Sequence, residues 1–221
     1  MSVPSKARTL LFDLDGTLTD SKAGIVRCLR FAVEELGWPC PPDDVLTTFI
    51  GPPLRRTFST LLATADHAII EQAVCLYRRE FSAGGLFENR VYDGVPEMLA
   101  SARSAARAAF VVTAKFTISA QRIVTHFGLA HHFAGVYGME EGHADKAELL
   151  AHVLAGEAIA PDAAVMIGDR AADIQAAQAN GVASIGVLWG YGSEQELRDA
   201  RPDALCRTPA DLASHLAAWR R

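Results

Sequence analysis

LLFDLDGTLTD, the stretch from Leu10 to Asp20, places a short apolar run directly before two acidic residues and a glycine. The run Thr9–Phe12 is broken at Gly16, a pattern that predicts a buried strand ending in a loop. Residues two apart on a strand share a face, so we expect Asp13 and Asp15 to project together from its carboxyl end. Ligands usually bind at that end of an open α/β sheet. Gly16 allows a tight turn whose N–H groups suit an anion such as phosphate.

Size and composition limit the classes of protein to consider. The chain has 221 residues, half of them hydrophobic, which is enough for one large or two modest domains with a core. Its net charge of −5, without a basic stripe, argues against a nucleic-acid partner. The four cysteines are scattered without CxxC spacing, which favours reduced thiols. No apolar run approaches the ~18 residues that span a bilayer, so we expect a cytoplasmic protein without a membrane partner. For the oligomeric state we expect either a monomer or a homodimer.

A helical segment is predicted between the first strand and the rest of the chain, over residues 21–90. Apolar residues recur there at helical spacing, and two clusters of prolines and glycines interrupt the pattern. No part of it alternates as a strand would. We therefore predict an inserted all-α domain of four helices, with residues 1–20 and 91–221 forming the other domain.

Strands alternate with helices after Asp93-Gly94. The predicted strands are Ala108–Thr113, Gly135–Tyr137, Ala163–Ile167 and Val182–Leu188. The predicted helices are Ser119–Phe127, Lys146–Leu154, Ala171–Ala179 and Pro209–Trp219. This alternation indicates a doubly wound, Rossmann-like parallel sheet with helices on both faces.

Further candidate site residues fall at the ends of these elements. Thr113 ends a predicted strand, so its hydroxyl and the N–H of Ala114 can bind a phosphate oxygen, although a β-branched residue closing a strand is the simpler explanation. Lys146 begins a predicted helix, where a cation is poorly placed for the dipole; a solvated surface lysine is the alternative. Asp169 and Asp173 follow the predicted strand Ala163–Ile167, which Gly168-Asp169 closes, and together they indicate metal ligation rather than helix capping alone.

The string DLDGTLTD resembles the first motif of the haloacid-dehalogenase superfamily, DxDGT[LV]xD. Two further strings, IGVLWGYGSEQEL and FIGPPLRRTF, resemble the phosphoglycolate-phosphatase-like branch, which carries a helical cap. Two positions depart from the family pattern. Ala114 stands where Ser or Asn often follows the second-motif Thr, and Ala147 stands where Pro is common after the third-motif Lys.

The resemblance implies a Mg²⁺-dependent phosphatase acting on a small phosphomonoester, such as phosphoglycolate or a nucleoside monophosphate. In that mechanism Asp13 is the nucleophile that forms an aspartyl phosphate, and Asp15 is the general acid and base. Thr113 and Lys146 bind the transferring phosphoryl group. The implied Mg²⁺ ligands are Asp13, the backbone carbonyl of Asp15 and Asp169, while Asp173 orients metal-bound water.

Several alternatives use part of the same pattern. Dehalogenases of this superfamily do not keep an acid at the position of Asp15, and a phosphonatase needs a Schiff-base lysine where the insert offers only Lys22, in the hinge. A sugar phosphomutase of the β-phosphoglucomutase type needs the same core residues and stays open. So does a non-catalytic phosphate-sensing module, which lies outside the enzyme classes. A receiver domain lacks both the insert and the DxDGT string.

The insert is also where we expect substrate choice to be set. Arg55 and Arg56 follow Gly51-Pro52-Pro53, a rigid loop that can face the core site. A guanidinium there can pair with a substrate carboxylate or phosphate. A solvated helix start is the competing interpretation. Four of the seven histidines, His126, His131, His132 and His143, lack metal-ligand spacing and are interpreted as surface residues.

Overall fold

The computed structural model describes residues 9–105, 108–140 and 145–218. Within them, six parallel strands form one sheet in the order β5-β4-β1-β6-β7-β8. A separate two-stranded sheet pairs β2 with β3. The strands are β1 (Thr9–Phe12), β2 (Thr19–Asp20), β3 (Arg90–Val91), β4 (Ala108–Phe116), β5 (Gly135–Met139), β6 (Ala164–Gly168), β7 (Ala183–Val187) and β8 (Ala204–Cys206). The prediction of a doubly wound parallel α/β sheet is confirmed.

The central position of β1 determines which loops meet. Phe12 pairs in register with Val111 of β4 on one side and with Ile167 of β6 on the other. The carboxyl ends of these three strands therefore lie side by side. Residues directly following each strand can share one site there, as is usual for parallel sheets.

The core of the sheet is apolar on both faces, which explains why β1 has no polar residue between Thr9 and Asp13. Leu11, Phe110, Val112 and Met166 face one cluster, which is completed by residues of α7 (Lys146–Gly156) and α8 (Ala171–Ala179). Phe12 projects to the other face, where its ring packs edge-on against Phe133 with centroids 6.1 Å apart. Burying such side chains stabilises the fold by about 1.5–3 kcal/mol each.

Residues Asp20–Arg90 form a compact unit of their own. It contains α1 (Lys22–Glu35), α2 (Asp43–Thr47), α3 (Leu54–Leu61) and α4 (His67–Ala83). The Asp66 side chain caps α4 by accepting from the N–H groups of Ala68 and Ile69. Inside the unit the Tyr77 ring stacks on Phe81 and meets Phe58 edge-on.

The sequence patterns missed some elements of the sheet domain. These are α5 (Val95–Ala105), α9 (Glu194–Ala200) and the edge strand β8, only three residues long. The remaining helices are α6 (Thr117–His126) and α10 (Pro209–Ala218); Trp219, the predicted end of the last helix, lies outside the described residues. None of the described helices is long and apolar enough to cross a membrane.

Candidate active site

The loop after β1 is held by its own backbone. Asp13 continues the pairing with β6, donating its N–H to Ile167 O at 2.9 Å. Leu18 and Thr19 both donate to Leu14 O, and Gly16 donates to Thr19 O at 2.8 Å. Gly16 has φ +85°, and a Cβ there would overlap the Asp169 carboxylate. Only glycine fits this position, because the turn needs a left-handed backbone and leaves no room for a side chain.

Three carboxylates converge at the ends of β1 and β6. One oxygen each from Asp13, Asp169 and Asp173 lies within 4.8 Å of the others, and all three residues are buried. Asp169 directly follows β6, and Asp173 sits in the first turn of α8. Asp173 Oδ2 also accepts from Arg170 N at 3.0 Å, so it caps α8 as well. The two acids that sequence reasoning assigned to metal ligation are therefore brought together with Asp13.

Lys146, the first residue of α7, faces this cluster. Its Nζ lies 2.7 Å from Asp13 Oδ1 and also contacts Asp173 Oδ1. Its side chain is buried, so the alternative of a solvated surface lysine is wrong. Burial alone would lower the pKa of Lys146, but the charges of Asp13 and Asp173 raise it overall. The ammonium is therefore held charged against the carboxylates.

The charges in the cluster do not balance. One ammonium faces three carboxylates, and the pKa of Asp169 is raised well above its usual value by burial and then by the charges of Asp13 and Asp173. Burial likewise raises the pKa of Asp173 to about 6, against the opposing effect of Lys146. Asp13 Oδ1 and Asp173 Oδ1 both face the Lys146 ammonium, which is shared between them. A buried set of carboxylate oxygens with surplus negative charge fits a hard divalent cation such as Mg²⁺.

Thr113 is almost fully buried in β4, beside β1. The predicted strand ends at Thr113, whereas β4 continues to Phe116 with a shift of register between these two residues. Thr113 Oγ1 accepts from Lys115 N at 3.3 Å, which leaves its proton available to a ligand. The half-buried Ala114 offers only its backbone N–H, as expected from the sequence.

Sequence reasoning missed Lys115, although its charge is close to the candidate acid. Its Nζ lies 3.0 Å from Asp15 Oδ2, and both side chains are nearly buried, with 7% and 10% exposed. The only signal in the sequence is that lysine is rare in this chain, with four in all, and that this one follows Thr113 by two residues.

A loop between β7 and α9 donates hydrogen bonds to two residues of the site. Sequence reasoning did not predict these contacts. Trp189 Nε1 donates to Thr17 O at 2.9 Å, and Tyr191 N donates to Asp169 Oδ2 at 2.7 Å. Cβ atoms at Gly190 or Gly192 would overlap Asp169. The glycines of this loop therefore permit the close approach that fixes the Asp169 carboxylate.

The two arginines of the helical unit differ in their surroundings. Arg55 is bound to Glu71 of α4 by two hydrogen bonds, Nε–Oε1 at 2.5 Å and Nη2–Oε2 at 3.0 Å, and this pairing lowers the pKa of Glu71. Arg56 is exposed and forms no ion pair with a described residue. Of the histidines, His126 and His131 are exposed and His132 is half-buried, while His143 lies outside the described residues.

Comparison with known proteins identifies the family. The sequence pattern of the haloacid dehalogenase-like hydrolases matches residues 10–187, most of the chain. The chain belongs to this family. A 5'-nucleotidase of Pseudomonas aeruginosa is 44% identical over 93% of this chain and 92% of its own length. The Mycobacterium tuberculosis tyrosine-protein kinase PtkA is 37% identical over 94% of this chain and 68% of its own length.

A solved structure shows the same fold. The crystal structure of a predicted phosphatase from Clostridium acetobutylicum superposes with a TM-score of 0.92 at 33% identity, covering 96% of this chain and 99% of that one. More distant relatives include phosphoglycolate phosphatases. The predicted family is thus confirmed, and so is the prediction of a hydrolytic enzyme of the phosphatase type.

Proposed function

We propose that this haloacid dehalogenase-like hydrolase is a Mg²⁺-dependent phosphomonoesterase that acts through an aspartyl phosphate on Asp13. The observation that carries the proposal is the buried cluster of Asp13, Asp169 and Asp173 with Lys146 at its edge. Such an arrangement of one anionic nucleophile among cation-binding groups suits transfer of a dianionic phosphoryl group.

Each group has a distinct task in this mechanism. Asp13 attacks phosphorus in line, while Lys146, the Thr113 hydroxyl and the N–H group of Ala114 hold the phosphoryl oxygens. The N–H of Gly16, which the sequence assigned to phosphate binding, instead donates to Thr19 O within the loop. Asp15 protonates the leaving oxygen and later takes a proton from the attacking water.

The metal site would be formed by Asp13, Asp169 and the backbone carbonyl of Asp15. Asp173 would lie next to these ligands without binding the metal directly. When bound, Mg²⁺ would supply positive charge that offsets the repulsion between Asp13 and the phosphoryl oxygens. The fit rests on the three clustered carboxylates, which carry more negative charge than the one ammonium facing them can offset.

The relatives and the chemistry of the site together support a substrate class. A small phosphorylated metabolite, with a nucleoside monophosphate or phosphoglycolate as leading candidates, agrees with relatives that bear the names 5'-nucleotidase and phosphoglycolate phosphatase. All the phosphoryl-binding groups lie in the sheet domain. We therefore propose that the helical unit is a cap that sets the choice of leaving group, with Arg55 or Arg56 as contacts.

The test is a phosphate-release screen of nucleoside monophosphates, phosphoglycolate, hexose phosphates and p-nitrophenyl phosphate, at fixed Mg²⁺. The proposal predicts inorganic phosphate as the product. A sugar phosphomutase would instead return an isomeric sugar phosphate, and a phosphate-sensing module would release nothing. Either of those results would reject the hydrolase mechanism.

A further inference from the structure

Lys115 has a defined partner but no part in the mechanism above. We propose that it is a positioning residue that holds the Asp15 carboxylate in the orientation needed for proton transfer; this rests on the proposed function. Its Nζ lies 3.0 Å from Asp15 Oδ2, with 7% and 10% of the two side chains exposed. A buried lysine usually requires a charged partner, because an unpaired ammonium is costly to desolvate.

The backbone on both sides of Lys115 is fixed by specific contacts. Its N–H donates to Thr113 Oγ1 at 3.3 Å, where the register of β4 shifts. On the neighbouring strand, Gly138 N donates to Thr117 Oγ1 at 3.1 Å, and a Cβ at Gly138 would overlap Lys115 O. These contacts fix the backbone position of Lys115. Its side chain extends from there to Asp15 in the loop after β1.

The pairing leaves the two oxygens of Asp15 in different situations. Oδ2 faces the Lys115 ammonium, whereas Oδ1 is buried and accepts no hydrogen bond from the described residues. A carboxylate held by one oxygen cannot rotate freely, so Oδ1 keeps one direction. Proton transfer depends on such positioning within hydrogen-bond reach. Oδ1 is thus the oxygen that carries the transferred proton.

The two buried lysines therefore serve different acids. Lys146 faces Asp13 and Asp173, and Lys115 faces Asp15. In the first step, the P–O bond to Asp13 forms as the ester P–O bond breaks, and the proton on Asp15 Oδ1 passes to the leaving oxygen. In the second step, water attacks phosphorus and gives its proton to Asp15, while the P–O bond to Asp13 breaks, which releases inorganic phosphate and restores the Asp13 carboxylate. Lys115 neither gains nor loses a proton in this sequence.

The experiment measures kcat/KM for a series of aryl and alkyl phosphates with leaving groups of increasing pKa. This parameter reports phosphoryl transfer to Asp13, for which only poor leaving groups need a proton. In Lys115→Met we expect a loss of roughly 10-fold or more for the poorest leaving groups, a part of the ~10²–10⁴-fold that general acid catalysis contributes. The loss for p-nitrophenyl phosphate should be small. Lys115→Arg should restore most of the dependence, and Lys22→Met, which removes an exposed lysine, should match the wild type.

A second comparison does not depend on the Lys115→Met protein folding. Neither Asp15→Asn nor the double variant Asp15→Asn/Lys115→Met leaves an unpaired carboxylate at this position, and the double variant also removes the ammonium that Asp15→Asn leaves without its charged partner. If Lys115 acts through Asp15, the two should have equal kcat/KM values, within about 2-fold, across the series. A further 10-fold loss in the double variant, or an equal loss for all leaving groups in Lys115→Met, would overturn the positioning role. A wild-type dependence on leaving group in Asp15→Asn would instead reject the acid role of Asp15, and with it that part of the proposed function.

Discussion

Lys146 Nζ lies 2.7 Å from Asp13 Oδ1, although the two residues come from different strand–helix units of the sheet domain. The ammonium gives the candidate nucleophile a charged partner in a site that is otherwise crowded with carboxylates. The same contact can attract the phosphoryl oxygens toward the atom that attacks them. The predictions below follow from this pair and its neighbours.

Asp13→Asn should reduce turnover by more than about 1,000-fold, because an amide is not an anionic nucleophile. The fold should remain, since the substitution removes one of three clustered negative charges. Phosphate release and the thermal unfolding midpoint check the two parts separately. Asp162→Asn, at an exposed position of the same domain, serves as the control. Substantial activity in the purified Asp13→Asn protein would reject the nucleophile assignment.

Asp15→Asn should separate the two chemical steps. An aryl leaving group needs little protonation, so p-nitrophenol should appear in a burst no larger than the enzyme concentration. Hydrolysis of the aspartyl phosphate then stalls, because no group takes the proton from water. Rapid-mixing absorbance measures the burst. Steady turnover at the wild-type rate would show that Asp15 is not the acid and base.

Lys146→Met should destabilise the protein as well as weaken substrate binding. Removing one partner of a buried ion pair costs about 3–5 kcal/mol, and here three carboxylates would remain together. Urea unfolding at neutral pH measures this loss, with Lys22→Met as the control. No burst of p-nitrophenol should occur, because binding and phosphoryl transfer weaken together. A free energy of unfolding equal to that of the wild type would contradict the charge argument.

Mg²⁺ should stabilise the protein in the absence of any substrate. A ligand at 100 times its Kd adds about 2.7 kcal/mol to the free energy of unfolding. The thermal midpoint should therefore rise with Mg²⁺ and fall with EDTA in the wild type, and activity should follow. Asp169→Asn should lose the shift. A midpoint and activity that are both insensitive to EDTA would argue against a metal held by Asp13 and Asp169.

Arg56→Ala should lower kcat/KM for the best natural substrate more than kcat/KM for p-nitrophenyl phosphate, which has no anionic tail. Arg55 is already committed to Glu71, so Arg55→Ala should change this ratio less and act mainly through the lost ion pair. An exposed pair of this kind contributes about 0.2–1 kcal/mol. If neither variant changes the ratio, specificity lies elsewhere in the helical unit.

Sequence spacing predicted that the main candidate residues lie close together, for a physical reason. Asp13, Thr113 and Asp169 each lie at or just beyond the carboxyl-terminal part of a strand, and adjacent parallel strands bring those regions together. Neighbours that depend on side-chain packing could not be predicted in this way. In the sequence, Lys115 resembles an ordinary surface lysine. In the structure it lies beside the register shift in β4, and its ammonium contacts Asp15.

The sequence patterns also could not predict contacts between distant segments. Trp189 bonds to Thr17 across 172 positions, and the pairing of Arg55 with Glu71 depends on how α3 packs on α4. Local periodicity carries no information on either contact. The short strand β8 was missed because three residues, two half-buried and one buried, are too few to show an alternating pattern.

The central claim is the covalent intermediate on Asp13, and peptide mass spectrometry of the acid-quenched Asp15→Asn protein tests it most directly. After brief incubation with p-nitrophenyl phosphate and Mg²⁺, the account predicts one phosphoryl group, removable by hydroxylamine, on the peptide that contains Asp13. The adduct should be absent from Asp13→Asn treated in the same way. A burst of p-nitrophenol without this adduct, or a phosphoryl group on another residue, would contradict the account.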